Sequence, residues 1–190
     1  MVKQNRKELI IKEAAIIFKY KGYSATSMRE LAEKVGVEAA SLYNHIRSKD
    51  EILEEICFGV AHEYLSFITD IEERECSYTE KLQGLIDLHV KLIIEKPNEV
   101  SVANNDWKSL SETKKKLYKE VRKGYENRIA NILTKGMKLG EFKKIHVSVA
   151  LFTLLSSLRW IELWYKPGRE VTPDELKEDL KTFLVNGLKN

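Results

Sequence analysis

Apolar residues recur at helical spacing along almost the whole chain. Ile10, Ala14, Ile17 and Phe18 share one face of a first helix expected from about Lys3 to Lys21, and Gly22 ends it. Ser27 with Glu30 three residues on has the pattern of a capping box and opens a second helix striped by Met28, Leu31, Ala32 and Val35. Gly36 permits a sharp turn into a short third helix, roughly Glu38 to His45. Ser48 with Glu51 repeats the capping pattern and opens a long fourth helix, whose stripe is Leu53, Ile56, Val60, Tyr64 and Phe67.

The same period continues downstream. A helix near Thr79 to Lys96 is stopped by Pro97, because the residue before a proline is pushed out of helical geometry. Asn98 to Asp106 reads as a polar connector leading to Trp107. A long helix from about Glu112 to Leu139 carries Leu117, Val121, Tyr125 and Ile129 on one side, and Gly140 closes it. Another runs from about His146 to Lys166 and ends at Pro167-Gly168. Thr172, Pro173 and Glu175 place an N-cap, a first-position proline and a capping carboxylate before a last helix striped by Leu176, Leu180, Phe183 and Leu184. No segment reads as a strand. The expectation is an all-α chain of about nine helices. A three-helix head with a helix-turn-helix, residues 1–47, precedes a helical ligand-binding and dimerisation body, residues 48–190.

Composition narrows the classes. Of 190 residues, 43% are hydrophobic and 32% charged, which suits a globular domain with a real core. Cys57 and Cys76 are too few for a disulfide framework, lack metal-ligand spacing, and read as buried free thiols in helices. The start of the chain has no apolar signal core and no run of 18 apolar residues exists, so a cytoplasmic protein without a membrane partner is expected. Net charge is +3 but uneven: residues 1–50 carry ten Lys/Arg against six Asp/Glu. That excess lies in the head, where phosphates would be met.

Two short helices meeting at Gly36, the second small and polar, have the shape of a helix-turn-helix whose second helix enters the major groove of DNA. The residues that follow this shape resemble a family. Ala14-Ala15-Ile16-Ile17-Phe18, Gly22 to Ala32 and Leu42 to Leu53 resemble the N-terminal domain of TetR/AcrR-type transcriptional regulators. Chemistry agrees with the resemblance. Thr26 and Ser27 offer hydroxyls at a helix N-terminus to a phosphate. Tyr43, His45 and Lys49 are donors suited to phosphates, and packing is the competing role for Tyr43 and His45. Ala39, Ala40, Ser41 and Asn44 would face base edges, where Asn pairs bidentately with adenine and Ala meets a thymine methyl. Arg29 and Lys34 read as solvated surface; Arg6 and Lys7 suit either surface or nonspecific DNA affinity. The family often has Ser-Lys-Gly where this chain has Glu38-Ala39-Ala40, which leaves direct guanine readout and the operator sequence open.

The resemblance implies a homodimer through the last two helices, with Ser148, Leu151, Phe152, Leu155, Leu158, Leu176, Leu180, Phe183, Leu184 and Leu188 as candidate interface or core. It also implies an inducer site in the body. Tyr64, Phe67, His89, Trp107, Tyr125, Trp160, Trp164 and Tyr165 are candidate liners, with ordinary core packing as the alternative. Ser156 to Gly168, Thr172 to Leu176, and Asn104 to Leu110 resemble the TetR-type repressors of fatty-acid or acyl-CoA degradation, which implies an acyl-CoA effector. Arg159 and Lys166 would meet its phosphates, and Trp160 and Trp164 its adenine. A multidrug sensor is the alternative, with Asp87 or Glu162 facing a cationic drug. No cofactor, metal site or catalytic residue is expected. His62-Glu63 lacks the second His of a zinc protease motif, and no phosphate loop, nucleophile elbow or Cys–His pair is present.

Overall fold

The computed structural model describes residues 6–166, 168 and 170–189. The helix start expected near Lys3 and the stop expected at Pro167 lie outside the described residues. The described residues form α1 (Arg6–Lys21), α2 (Met28–Val35), α3 (Ala39–Tyr43), α4 (Lys49–Glu73), α5 (Tyr78–Glu95), α6 (Pro97–Asn105), α7 (Glu112–Lys138), α8 (Val147–Trp164) and α9 (Pro173–Asn186), with a 3-10 turn at Trp107–Ser109. Among them, β pairing is limited to one isolated bridge between Phe142 and Lys189. The chain divides into two compact units, Met1–His62 with Asn98–Glu120 and Glu63–Pro97 with Val121–Asn190.

In the first unit, Ile10, Ala14, Ala15 and Phe18 of α1, Leu31 of α2, Leu42 of α3 and Ile46 are fully buried. Truncating one such leucine to alanine costs about 2–5 kcal/mol, so this small core defines the head's geometry. Ser27 caps α2 by accepting from the Glu30 amide at 3.2 Å. The Glu30 carboxylate turns instead to Lys21 at 2.7 Å, so only half of the expected box forms. The Ser48 pattern is halved in the same way: its hydroxyl accepts from the Glu51 amide, while Glu51 accepts from the Arg47 amide. Gly36 sits at φ 74°, and Val37 and Gly36 donate back to Ala32 and Glu33. These are the two bonds of a Schellman ending, which sends the chain sharply into α3.

Several expectations need correction. The Asn98–Asp106 connector is mostly helical, as α6. Pro97 both ends α5 and opens α6, because a proline at the first helical position gives up no hydrogen bond. Val100, Val102 and Ala103 bury its apolar face. Leu117 is exposed, and Tyr118 takes the buried place in the first unit, donating its hydroxyl to the Ala103 carbonyl. The third helix is shorter than Glu38–His45. Cys57 is buried in α4 as expected, but Cys76 lies half-buried in the turn before α5.

In the second unit, α5 packs on α8 and on α9. Its start is held twice: by a full capping box of Ser77 and Glu80, and by Glu141, which accepts from the Tyr78 and Thr79 amides at 3.1 and 2.9 Å. The Thr172–Glu175 box at α9 is complete, with Pro173 at its first position. Ala150, Leu151, Leu154, Leu158 and Ile161 of α8 face inward. Val149, Phe152, Trp160, Leu163 and Trp164 are exposed on its remaining surface. Apolar on nearly every side, α8 is the one described helix long and apolar enough to cross a membrane by length and composition.

Candidate nucleic-acid interface and effector site

The head presents a compact polar surface. Leu42 anchors α3 inward, and this single buried position turns Ala39, Ala40, Tyr43, Asn44 and His45 to solvent, with Ser41 half-buried. Asn44 is also the C-cap of α3. The base-facing and phosphate-facing candidates are therefore brought to one short element. Ser27 is exposed; its oxygen is used by the Glu30 amide and its hydroxyl proton stays available to donate. Two expected DNA contacts are placed differently. Thr26 is buried and donates its hydroxyl to the Gly22 carbonyl at 2.9 Å. Lys49 turns its ammonium onto the α1–α2 turn, with the carbonyls of Tyr23 and Thr26 at 2.9 and 2.8 Å. Both departures share a cause, a turn whose carbonyls need donors. Arg29 pairs with Glu33 on the surface, as expected of a solvated side chain.

A shallow cleft of about 410 Å³ lies between α1 and α2, lined by Ile16, Ile17, Tyr20 and the Lys21–Glu30 pair among others. Lys21 and Glu30 are already paired with each other there.

A different grouping lies within the second unit. Tyr64 of α4, His89 of α5 and Tyr125 of α7 stack together, with Tyr64 4.5 Å from His89 and 5.4 Å from Tyr125 between ring centroids. His89 Nε2 is 3.0 Å from the Tyr125 hydroxyl, and the tautomer sets the direction of that bond. Burial pushes the His89 pKa down to about 4, so the ring is neutral at neutral pH. Burial also raises Tyr125, with Tyr64 adding to it. His89 is half-buried among these rings. Phe67, one turn beyond Tyr64, packs toward α5 at Gly84, where an added Cβ would stand 3.4 Å from its ring and from Ile71.

The other expected liners are not gathered here. Trp107 belongs to the first unit, beside Tyr118 at 6.0 Å and Lys119 at 5.8 Å. Arg159, Trp160, Trp164 and Lys166 are exposed, and Tyr165 alone of the expected liners there is buried. Because α8 is apolar on nearly every side, its sequence says little about which face turns inward. Asp87 is paired with Lys181 at 2.7 Å, which removes it as a free anion for a cationic drug.

Of the candidate dimer residues, Leu151, Leu158, Leu176 and Leu184 are core of their own chain, and Leu155, Leu180 and Leu188 are half-buried. Ser148, Phe152 and Phe183 are exposed, Phe183 at 83%. Val149 and Leu163, which the spacing did not single out, join them on α8. Burial pushes the Cys57 thiol up to about 12, with Asp106 contributing, so it stays protonated and inert. Among the described residues no three His, Cys, Asp or Glu side chains group as metal ligands.

Residues 10–56 match the family described as bacterial regulatory proteins, tetR family. Residues 75–188 match the tetracyclin repressor-like C-terminal domain. The chain is similar to the HTH-type transcriptional repressor KstR2 of Rhodococcus jostii (strain RHA1), with 26% identity covering 98% of this chain and 92% of that one. Among solved structures it is similar to the ketosteroid transcriptional regulator KstR2 of Mycobacterium tuberculosis, with a TM-score of 0.92 and 22% identity over 98% of this chain and 96% of that one. It is also similar to AibR, solved in complex with isovaleryl coenzyme A and operator DNA, with a TM-score of 0.84 and 21% identity over 95% and 98%.

Proposed function

The chain belongs to the tetR family of bacterial regulatory proteins, and from that premise we propose that it is a cytoplasmic transcriptional repressor holding a palindromic operator as a homodimer. Residues 1–47 are the DNA-binding domain in this reading, and residues 48–190 sense the effector and dimerise. The observation that carries the reading is the exposed face of α3. Ala39, Ala40, Tyr43, Asn44 and His45 stand free of the core around one buried anchor, Leu42. A helix that buries one leucine and exposes small and hydrogen-bonding side chains is shaped to enter a major groove. Asn44 and Ser41 read base edges, and Tyr43, His45 and Ser27 meet phosphates.

Homodimerisation uses the outer faces of α8 and α9, where Val149, Phe152, Trp160, Leu163, Trp164 and Phe183 leave an apolar surface bare. Exposed large apolar side chains of this kind suit an interface. The effector is an acyl-CoA. Its acyl part lies against Tyr64, Phe67, His89 and Tyr125, where neutral His89 and the Tyr125 hydroxyl supply hydrogen bonds inside an aromatic surround. AibR, of the same fold, binds such a thioester. Coupling runs along α4, which starts at Lys49, immediately after the head, and carries Tyr64 further along the same helix. Allosteric coupling between two such sites amounts to about 1–3 kcal/mol.

Selection from random duplex DNA tests the reading. A palindrome with half-sites about one helical turn apart, or a multiple of that, is the expected product. Recovery of no sequence above background at low salt would overturn it.

A further inference from the structure

Lys49, the first residue of α4, expected at a phosphate, has its ammonium fully engaged elsewhere. Nζ donates to the carbonyls of Thr26 at 2.8 Å and Tyr23 at 2.9 Å, and reaches that of Ser24 at 3.5 Å. It also lies 4.5 Å from the centre of the Tyr23 ring. An ammonium has three protons, and three carbonyls take them. The next residue, Asp50, accepts the Tyr23 hydroxyl at 2.5 Å. The Tyr23 ring is buried edge-on against Phe18 of α1 at 5.2 Å. Two consecutive residues of α4 thus grip one side chain and three carbonyls of a single short turn. That turn delivers Ser27, the cap of α2.

We propose that Lys49 is a positioning residue. It clips the first turn of α4 to the α1–α2 turn and so fixes the helix-turn-helix relative to α4; this rests on the DNA-binding reading of the head. Lys49 acts through Ser27 and α2, without touching a phosphate. The chemistry separates the two roles. Arginine keeps the charge and binds phosphate at least as well as lysine does. Its planar fork cannot converge on three carbonyls around one nitrogen. A phosphate contact therefore survives Lys49→Arg, and a clip does not.

The test uses the full-length wild type, Lys49→Met, Lys49→Arg and Tyr23→Phe, the last removing only the bond to Asp50. Hydrogen exchange on the DNA-free proteins reads the clip directly. Residues 23–31 exchange faster in Lys49→Met and Lys49→Arg, and less so in Tyr23→Phe, while α5 and α9 keep wild-type protection. Unchanged exchange over 23–31 overturns the clip. Affinity for the selected operator is then measured against salt. Loss of the Lys49 carbonyl bonds predicts at least about tenfold weaker binding for both Lys49 variants, with the salt slope unchanged. Wild-type affinity in Lys49→Arg, or a slope shallower by about 0.9 in Lys49→Met, overturns the positioning role and restores the phosphate contact. If the wild type binds no DNA, the DNA reading of the head fails, while exchange still decides whether the clip exists.

Discussion

His89 Nε2 and the Tyr125 hydroxyl meet at 3.0 Å inside the second unit, joining α5 to α7 through a neutral imidazole. The unfolded chain takes up a proton at His89 near pH 6.5, whereas the folded chain refuses it until about pH 4. The stability due to this neutral state is complete above pH 6.5 and is lost as pH falls toward 4, at up to about 1.4 kcal/mol per pH unit. Urea unfolding at pH 7 and pH 5 checks this. Wild type loses more stability between the two than His89→Leu does; equal losses would show that His89 is not held neutral by the fold.

Tyr43 is 52% exposed at the end of α3. Tyr43→Ala weakens binding to every DNA sequence about equally and makes the salt slope shallower by about 0.9. Asn44→Ala costs about 1–3 kcal/mol on the operator and relaxes specificity at one position. Anisotropy titrations against matched and mutated operators separate the two. Sequence-dependent loss in Tyr43→Ala would place that residue on a base.

Phe183 is the most exposed large apolar side chain of the described residues. Phe183→Glu places a charge in the proposed α8–α9 interface, where an unpaired buried charge is costly. Sedimentation velocity then shows a monomer with wild-type helical content, and operator affinity falls at least about tenfold because one head reads only one half-site. A dimer unchanged by the substitution moves the interface elsewhere.

Gly136 of α7 lies under the Phe142 ring, and a Cβ there would stand 2.2 Å from it. Phe142 is fully buried and has nowhere to retreat. Gly136→Ala therefore destabilises the second unit by at least about 1–3 kcal/mol despite its better helix propensity. Chemical denaturation measures this, and a stabilised variant would mean that the turn after α7 repacks freely.

Much of this was legible in the sequence, for reasons that differ by residue. Ser27, Gly36 and Leu42 act locally, through a cap, a left-handed turn and an anchor, and local signals survive folding. α6 was missed because Asn98, Glu99, Asn104 and Asn105 outnumber the apolar residues that bury it. The Ser77–Glu80 box, a plain capping pattern, was there to be read. The Lys49 grip had no sequence signal, because its acceptors are backbone carbonyls that only the folded turn brings together. Trp160 and Trp164 were expected in a pocket and stand outside; a helix apolar on nearly every side carries little periodicity from which to choose its inner face. The Tyr64–His89–Tyr125 grouping was half legible: each residue was a candidate, but their hydrogen bond needed three helices in place.

The central claim is that one chain couples an operator to an acyl-CoA. Fluorescence anisotropy of the pure protein on DNA from upstream of its own gene, with and without medium- and long-chain acyl-CoA, tests it most directly. The account predicts tight, salt-sensitive binding that acyl-CoA releases, and that His89→Ala blunts the release while leaving ligand-free affinity intact. Tight binding that no acyl-CoA alters would contradict it.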